Sequence, residues 1–141
     1  LHHTGDMHLA LKNVAKLVKP NGYLFIAIYN DQGLRSKLWW YVKYFYNRNI
    51  VCSWMVLAIF SPYFYLRALG RFLVFRRKLP RGMNTFYDMI DWLGGFPFEV
   101  AKPCEIKRFY QSIGFQLTKE NLVGSKLGCN EFVFKNVSEV A

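Results

Sequence analysis

The pattern of apolar positions predicts that helices and strands alternate in the first part of the chain. From Asp6 to Val18, apolar residues recur every three or four positions, which indicates a helix with one buried face. A Lys-Pro-Asn-Gly turn at 19–22 ends this helix. The next stretch, Tyr23–Ile28, is apolar on both faces, which favours a strand covered on both sides, as in a parallel sheet. Together these elements indicate the second half of an α/β unit.

The last third of the chain predicts two helices followed by two strands. The first helix covers Phe86–Leu93 and ends at a Gly-Gly pair. The second covers Pro103–Ile113, with proline in its first turn and glycine just past its end. Phe115–Leu122 and Asn130–Asn136 are predicted strands, and the short loop between them indicates an antiparallel hairpin.

The middle of the chain, residues 34–81, has a different character. Its spacing predicts helices over Ser36–Arg48 and Val51–Phe75, with Pro62 kinking or dividing the second, and a turn at 81–84. The sequence has no acidic residue between Asp31 and Asp88. That interval contains ten Lys and Arg residues, so the whole net charge of +10 lies there.

Length and composition predict a single domain with a substantial core. The chain has 141 residues, of which 52% are apolar and 18% aromatic. Its three cysteines are odd in number and widely separated, which disfavours a disulfide framework and a structural zinc site. A reducing, cytoplasmic compartment fits this cysteine usage. Residue 1 is leucine and not methionine, so we expect that a front half precedes these residues.

Several of these segments, taken in order, resemble the C-terminal half of a class I S-adenosylmethionine-dependent methyltransferase. The resemblance is most specific over residues 1–31, where a Leu-His-His-Thr-Gly run precedes the helix, the Lys-Pro-Asn-Gly turn and a strand ending in Tyr-Asn. It continues over 92–135, where a helix precedes the closing antiparallel hairpin. The resemblance implies one α/β domain over 1–141, the C-terminal part of a Rossmann-like sheet, with 34–81 a basic helical cap inserted after a central strand.

Two features of that family are missing from these residues. There is no glycine-rich loop of the kind that approaches the methionine moiety of the cofactor, and no acidic residue that would hold its ribose. The resemblance therefore implies that Leu1, His2, His3 and Thr4 form one wall of an S-adenosylmethionine site and that most of the site lies outside the chain. We expect the 141 residues alone to be inactive.

The two adjacent histidines allow two interpretations. His2 or His3 could accept a proton from a substrate, because the pKa of histidine lies near neutrality. They could instead shape the loop and contact cofactor or substrate, which is the interpretation we favour. A metal site formed with His8 is disfavoured, because adjacent histidines point in different directions and no acidic cluster completes the set. No catalytic residue is assigned.

Candidate substrate-binding residues follow the first strand and surround the Gly-Gly pair. Tyr29, Asn30 and Asp31 follow the strand's carboxyl end, where ligands bind in open α/β sheets, although Asn-Asp-Gln-Gly is also good turn chemistry. Trp92 and Glu99 flank the Gly-Gly-Phe-Pro-Phe run. That run could be a lid hinge with Glu99 reaching a cleft, or a helix end with Glu99 solvated or capping.

The basic, aromatic segment fits more than one role. A stretch of 18 uncharged residues, 49–66, is marginal for a membrane span. Peripheral contact with anionic lipid through 35–81 fits better, because tryptophan, tyrosine and basic residues favour that interface. An apolar lid over a hydrophobic acceptor also fits. A helical cap with a solvated basic face is the interpretation we favour among all of these. Nucleic acid is disfavoured, because the aromatics are interleaved with aliphatic residues.

The functional expectation is methyl transfer from S-adenosylmethionine to a small-molecule acceptor, which could be hydrophobic. The competing expectation is a basic module that binds anionic membrane surfaces and has no enzymatic activity. The acceptor and the oligomeric state are left open. The predicted location is cytoplasmic. The basic segment also allows association with a membrane.

Overall fold

The computed structural model describes residues 1–75 and 84–138, with only the backbone for Phe75, and shows a mixed α/β chain. The described residues form two compact units. The sheet unit contains residues 1–36 and those from 97 on, and the helical unit contains residues of the range 37–96. In chain order the elements are α1 (Met7–Lys16), β1 (Tyr23–Tyr29), α2 (Leu34–Tyr46), α3 (Ile50–Phe75), α4 (Thr85–Gly94), α5 (Pro103–Ser112), β2 (Phe115–Asn121) and β3 (Cys129–Asn136).

The three strands form one sheet in the order β1-β3-β2. β3 is antiparallel to both neighbours, so β1 and β2 run parallel to each other. The register pairs Leu24 with Phe134 and Ile26 with Phe132. The predicted antiparallel hairpin of β2 and β3 is confirmed. β1 lies at one edge of this sheet.

Helices α1 and α5 contribute to a core with one face of the sheet. On β1 the buried positions are Leu24, Ile26 and Ile28, two apart as the pleat requires. Leu11 of α1 and Tyr110 of α5 are fully buried in the same cluster. The Tyr110 ring stacks on Phe134 with the ring centroids 4.6 Å apart. Helix and sheet thus bury one continuous apolar layer.

The other face of β1 differs from the sequence prediction. Tyr23 and Phe25 each expose 63% of their surface, and Ala27 and Tyr29 are half-buried. The predicted cover on both sides is wrong for the described residues, because α1 and α5 supply side chains to the core on one face only. Pairing also differs, since β1 pairs with an antiparallel strand and not a parallel one.

Helix ends follow the sequence closely. The Asp6 side chain accepts a hydrogen bond from the Leu9 N–H at 2.9 Å and caps α1. At α5, Pro103 occupies the first turn and Glu105 accepts from the backbone N–H of Lys102 at 3.0 Å. Gly114 follows α5 with φ +84°, a conformation that strains other residues.

In the helical unit, α2, α3 and α4 pack around Val56, Met89 and Leu93. α3 continues through Pro62, so the proline does not divide it. Proline has no N–H to donate to the Ala58 carbonyl, and the Ser61 hydroxyl lies 3.5 Å from that oxygen. Of the predicted turn at 81–84, only Asn84 is described, and it caps α4. The part of the basic segment at 76–81 lies outside the described residues.

Candidate functional site

The segment before α1 lies beside β1 in the sheet unit. The His2 ring Nδ1 is 3.2 Å from the Ala27 carbonyl oxygen of β1. The His2 carbonyl accepts a hydrogen bond from the Glu99 N–H at 3.2 Å. The connector before α5 also contacts β1, since the Ala101 N–H donates to the Tyr29 carbonyl at 3.0 Å. Three segments distant in sequence therefore meet at the carboxyl end of β1.

Aromatic rings fill this meeting point. The centroids of the His2 and Tyr29 rings are 4.3 Å apart, and those of His2 and His3 are 4.5 Å apart. The rings of Tyr29 and Phe98 lie at 5.3 Å. We call these four side chains, His2, His3, Tyr29 and Phe98, the aromatic cluster. It brings together three of the residues that the sequence predicted at a binding cleft.

Hydrogen bonds assign the tautomers of both histidines. Because a carbonyl oxygen only accepts, Nδ1 of His2 carries the hydrogen toward Ala27, and Nδ1 of His3 carries it toward the Pro97 oxygen at 2.6 Å. Burial, reinforced by the neighbouring His3, lowers the pKa of His2 to about 4. His2 is therefore neutral at pH 7, with Nε2 an acceptor. A base with such a low pKa removes protons poorly, so the geometry suits a positioning role.

Glu99 has a structural role. Its two carboxylate oxygens accept hydrogen bonds from the Gly5 N–H at 3.0 Å and the Met7 N–H at 2.9 Å. Both donors belong to the start of α1, where free N–H groups and the helix dipole favour a negative charge. Of the two alternatives for Glu99, the structure shows the capping one. The same loop holds Thr4, whose hydroxyl donates to the Leu1 carbonyl at 3.0 Å, and Leu1 packs against the core.

Replacing Glu99 with glutamine is expected to lower the free energy of unfolding by about 1–2 kcal/mol. The amide keeps one oxygen acceptor but loses the charge and turns an NH₂ group toward an N–H donor. Chemical denaturation followed by far-UV circular dichroism measures the change. Glu120→Gln is the matched control, because Glu120 only forms a surface ion pair with Lys107 at 3.2 Å and its loss costs about 0.5 kcal/mol or less. Equal effects of the two substitutions would contradict the capping role.

Asn30 and Asp31 are held by backbone and side-chain partners. The Asn30 amide donates to the Gly124 carbonyl at 2.7 Å and accepts from the Asn130 amide at 2.9 Å. Asp31 accepts from the Gly33 N–H at 2.8 Å, which forms the predicted turn. The two bonds of Asn30 tie the end of β1 to β3 and to the loop that precedes it. Tyr29 is therefore the member of this trio that belongs to the aromatic cluster.

Asn130 is a residue that sequence reasoning missed. It is 1% exposed, and its side-chain oxygen accepts from the Val123 N–H at 3.1 Å. The alternation of residues along β3 could have indicated this burial, because Asn130 lies on the same inward face of the strand as Phe132 and Phe134. A polar residue in an apolar row is buried only when it is hydrogen-bonded.

Trp92 belongs to the helical unit. Its ring lies 5.7 Å from that of Trp39, and the Lys43 ammonium lies 4.8 Å from the centroid of the Trp92 ring. Lys43 also donates a hydrogen bond to the Trp92 carbonyl and is fully buried. Burial lowers the pKa of Lys43 to about 8, although the Asp91 carboxylate acts in the opposite direction. Sequence reasoning placed this lysine only within the basic segment.

The aromatic cluster is a partly apolar surface that includes the neutral imidazole of His2, whose Nε2 is an acceptor. In residues 1–75 and 84–138, no three His, Cys, Asp or Glu side chains are grouped so that they could hold a metal ion. All three cysteines are free. Such a surface can contact a flat group or a diffuse cation. Comparison with family models, with curated proteins and with solved structures finds no match for this chain.

Proposed function

We propose that this chain is the C-terminal part of a class I methyltransferase and takes part, within a longer chain, in methyl transfer from S-adenosylmethionine to a small-molecule acceptor. The observation that carries the proposal is the aromatic cluster at the carboxyl end of β1. In open α/β sheets, ligands bind outside the carboxyl ends of the strands. The resemblance implies a cofactor wall at Leu1–Thr4, and these residues supply two rings of the cluster.

The sheet gives independent support. β1 and β2 are mutually parallel and the antiparallel β3 lies between them, as in a mixed sheet that closes with a hairpin. The connection between β1 and β2 contains helices, which is the usual link between parallel strands. One face of β1 is exposed in these residues, as we expect if other parts of a longer chain cover that face.

The residues present fit one side of the cofactor. When bound, S-adenosylmethionine supplies a methyl group carried on a positively charged sulfur. A neutral His2 avoids charge repulsion with such a group, and the faces of Tyr29 and Phe98 attract cations. The chain has neither a glycine-rich loop nor an acidic residue for the ribose. We therefore expect the 141 residues to contribute a wall of the site and not to hold the cofactor alone.

Within this proposal, Tyr29 is the residue we assign to contact with the acceptor or the methyl group. Asn30, Asp31 and Glu99 act by positioning, because their side chains hold the loops around the cluster. Positioning accounts for much of the catalysis of transfer reactions, so no general base is required of His2. The free cysteines are consistent with a reducing, cytoplasmic location, which is part of the proposal.

The test begins with the genomic DNA upstream of the Leu1 codon. An in-frame extension containing a strand and a glycine-rich loop supports the proposal, and an upstream stop codon contradicts it. The extended chain is then titrated with S-adenosylmethionine by calorimetry, beside the 141 residues alone. We expect binding by the extended chain only.

In the extended chain, Tyr29→Ala is expected to weaken cofactor binding or methyl transfer at least about tenfold. Tyr23→Ala is the matched control, because Tyr23 begins the same strand and lies at the opposite end from the aromatic cluster. Transfer of a labelled methyl group to small-molecule acceptors is the second measurement. Equal effects of Tyr29→Ala and Tyr23→Ala would remove the aromatic cluster from the proposed site.

A further inference from the structure

We propose that α3 lies along an anionic lipid surface and binds it through a continuous apolar face. α3 has 26 residues and is about 39 Å long. Within the described residues it is the one helix long and apolar enough to cross a membrane. Only 11% of its most apolar stretch is buried, so it is not the core helix of a globular unit. This inference does not depend on methyl transfer.

Six exposed apolar residues of α3 form a stripe along one side of the helix, whereas Ile50, Tyr63 and Val74 are exposed outside it. At about 100° per residue, the positions from 51 to 73 that fall on one side of the helix are all uncharged. Trp54 is 64% exposed, Leu66 69% and Leu69 53%. We call this set the apolar stripe: Val51, Trp54, Met55, Leu66, Leu69 and Leu73.

The opposite side of α3 is already occupied. Val56 and the half-buried Phe60 pack in the cluster that contains Met89 and Leu93 of α4. Arg67 and Arg71 lie on this same side, about 180° from the apolar stripe, and both are exposed. The stripe can therefore enter an apolar phase while the two arginines remain in water.

The position of α4 favours a helix that lies on the surface over one that crosses the bilayer. α4 packs against α3 and carries Asp88 and Asp91, both exposed. A crossing α3 would bring Arg67, Arg71 and these carboxylates into hydrocarbon, where charged side chains are costly. A surface-bound α3 leaves all four in water.

Charge selects the kind of lipid. The interval between Asp31 and Asp88 contains ten basic residues and no acidic residue. The segment that includes α3 therefore carries a positive charge. Basic residues near a membrane surface are attracted by anionic headgroups. Trp54 and Tyr65 are exposed on α3, and tryptophan and tyrosine favour the headgroup region. The partner that matches both properties is a bilayer containing anionic phospholipid.

The test is cosedimentation of the 141-residue chain with vesicles of phosphatidylcholine alone or mixed equally with phosphatidylglycerol. We expect binding to the mixed vesicles that weakens at high salt. The double substitution Leu66→Glu with Leu69→Glu should weaken it at least about tenfold, because two anchoring side chains become anionic.

The matched control is Leu17→Glu with Leu127→Glu. These leucines are exposed in the sheet unit, so the control makes the same change of net charge outside the stripe. We expect it to change binding by less than about threefold, since only the general electrostatic attraction decreases. Circular dichroism of both double variants checks that the helices are retained. Equal losses in the two variants would overturn the proposal.

Other occupants of the stripe give distinct results. If the chain ignores mixed vesicles and elutes as a dimer that Leu66→Glu with Leu69→Glu makes monomeric, the stripe is an interface between two copies. If alkaline carbonate fails to release the chain from membranes of expressing cells, α3 crosses the bilayer. Either result overturns the proposal, whereas release by carbonate supports it. None of these measurements involves S-adenosylmethionine, so the methyl-transfer proposal is tested separately.

Discussion

Replacing Phe134 with alanine is expected to lower the free energy of unfolding by about 3–5 kcal/mol. Phe134 is fully buried in β3, pairs with Leu24 across the sheet and stacks on Tyr110. Removing its ring takes apolar surface from the core and leaves a cavity that the sheet and α5 cannot fill without moving. Thermal and denaturant unfolding followed by far-UV circular dichroism measure the loss.

Phe25→Ala is the matched control for this prediction. It removes the same side chain from the same sheet, but Phe25 is 63% exposed on the other face. Its effect is expected to be about 0.5 kcal/mol or less, as for most surface substitutions. A cost of several kcal/mol for Phe25→Ala would show that this face is packed in solution.

The second large effect is a dependence of stability on pH in the helical unit. Burial lowers the pKa of Lys43 from 10.5 to about 8 in the folded chain. Between these values the unfolded chain binds the proton and the folded chain does not, so stability rises as pH increases through this window. The cost of burying the charge is fully present below pH 8. The difference between the two pKa values corresponds to about 3 kcal/mol.

Tryptophan fluorescence during denaturant unfolding measures this effect selectively. The four tryptophans, at 39, 40, 54 and 92, all lie in the helical unit. Lys43→Met should abolish the rise between pH 8 and 10, whereas Lys37→Met should retain it because Lys37 is exposed. The scan stops at pH 10 because burial raises the pKa of Tyr110 to about 12, which opposes the trend at higher pH. A rise that persists in Lys43→Met would assign the effect to another group.

Local sequence patterns predicted the helices and most strands, because apolar spacing and the residues at element ends determine where these elements form. The helix α1 follows from its apolar spacing, and α5 follows from Pro103 and Gly114 at its ends. The strands β2 and β3 are adjacent in sequence, so their hairpin could be predicted from the loop between them. Helical periodicity also predicted α2 and α3 to within two residues.

Features that depend on distant residues could not be predicted in this way. The apolar run of β1 indicates that either face of the strand could be covered. It does not indicate which face the rest of the chain covers. Glu99 caps a helix that begins 92 residues earlier, and no local pattern connects the two. Similarly, Lys43 is a basic residue among many until α4 packs over it and Trp92 accepts its hydrogen bond.

The candidate site was predicted in part for the same reason. Tyr29 ends the strand, so its place at a carboxyl end could be predicted, and the resemblance implied that His2 and His3 belong to a cofactor wall. Phe98 belongs to the Gly-Gly-Phe-Pro-Phe run, and no local pattern predicts that its ring lies against that of Tyr29. Trp92 proved to be a packing residue of the helical unit.

The pairing of β1 with β3 has a consequence during synthesis. Leu24 pairs with Phe134, which is added to the chain 110 residues later. At about 5–20 residues per second, the ribosome needs about 5–20 s to make that interval. The helical unit is encoded entirely within it, so α2, α3 and α4 are made while β1 still lacks β3. Among the described core elements only α1 precedes β1, so until α5 is made it is the one of them that can shelter the apolar side chains of β1 from water and from other nascent chains.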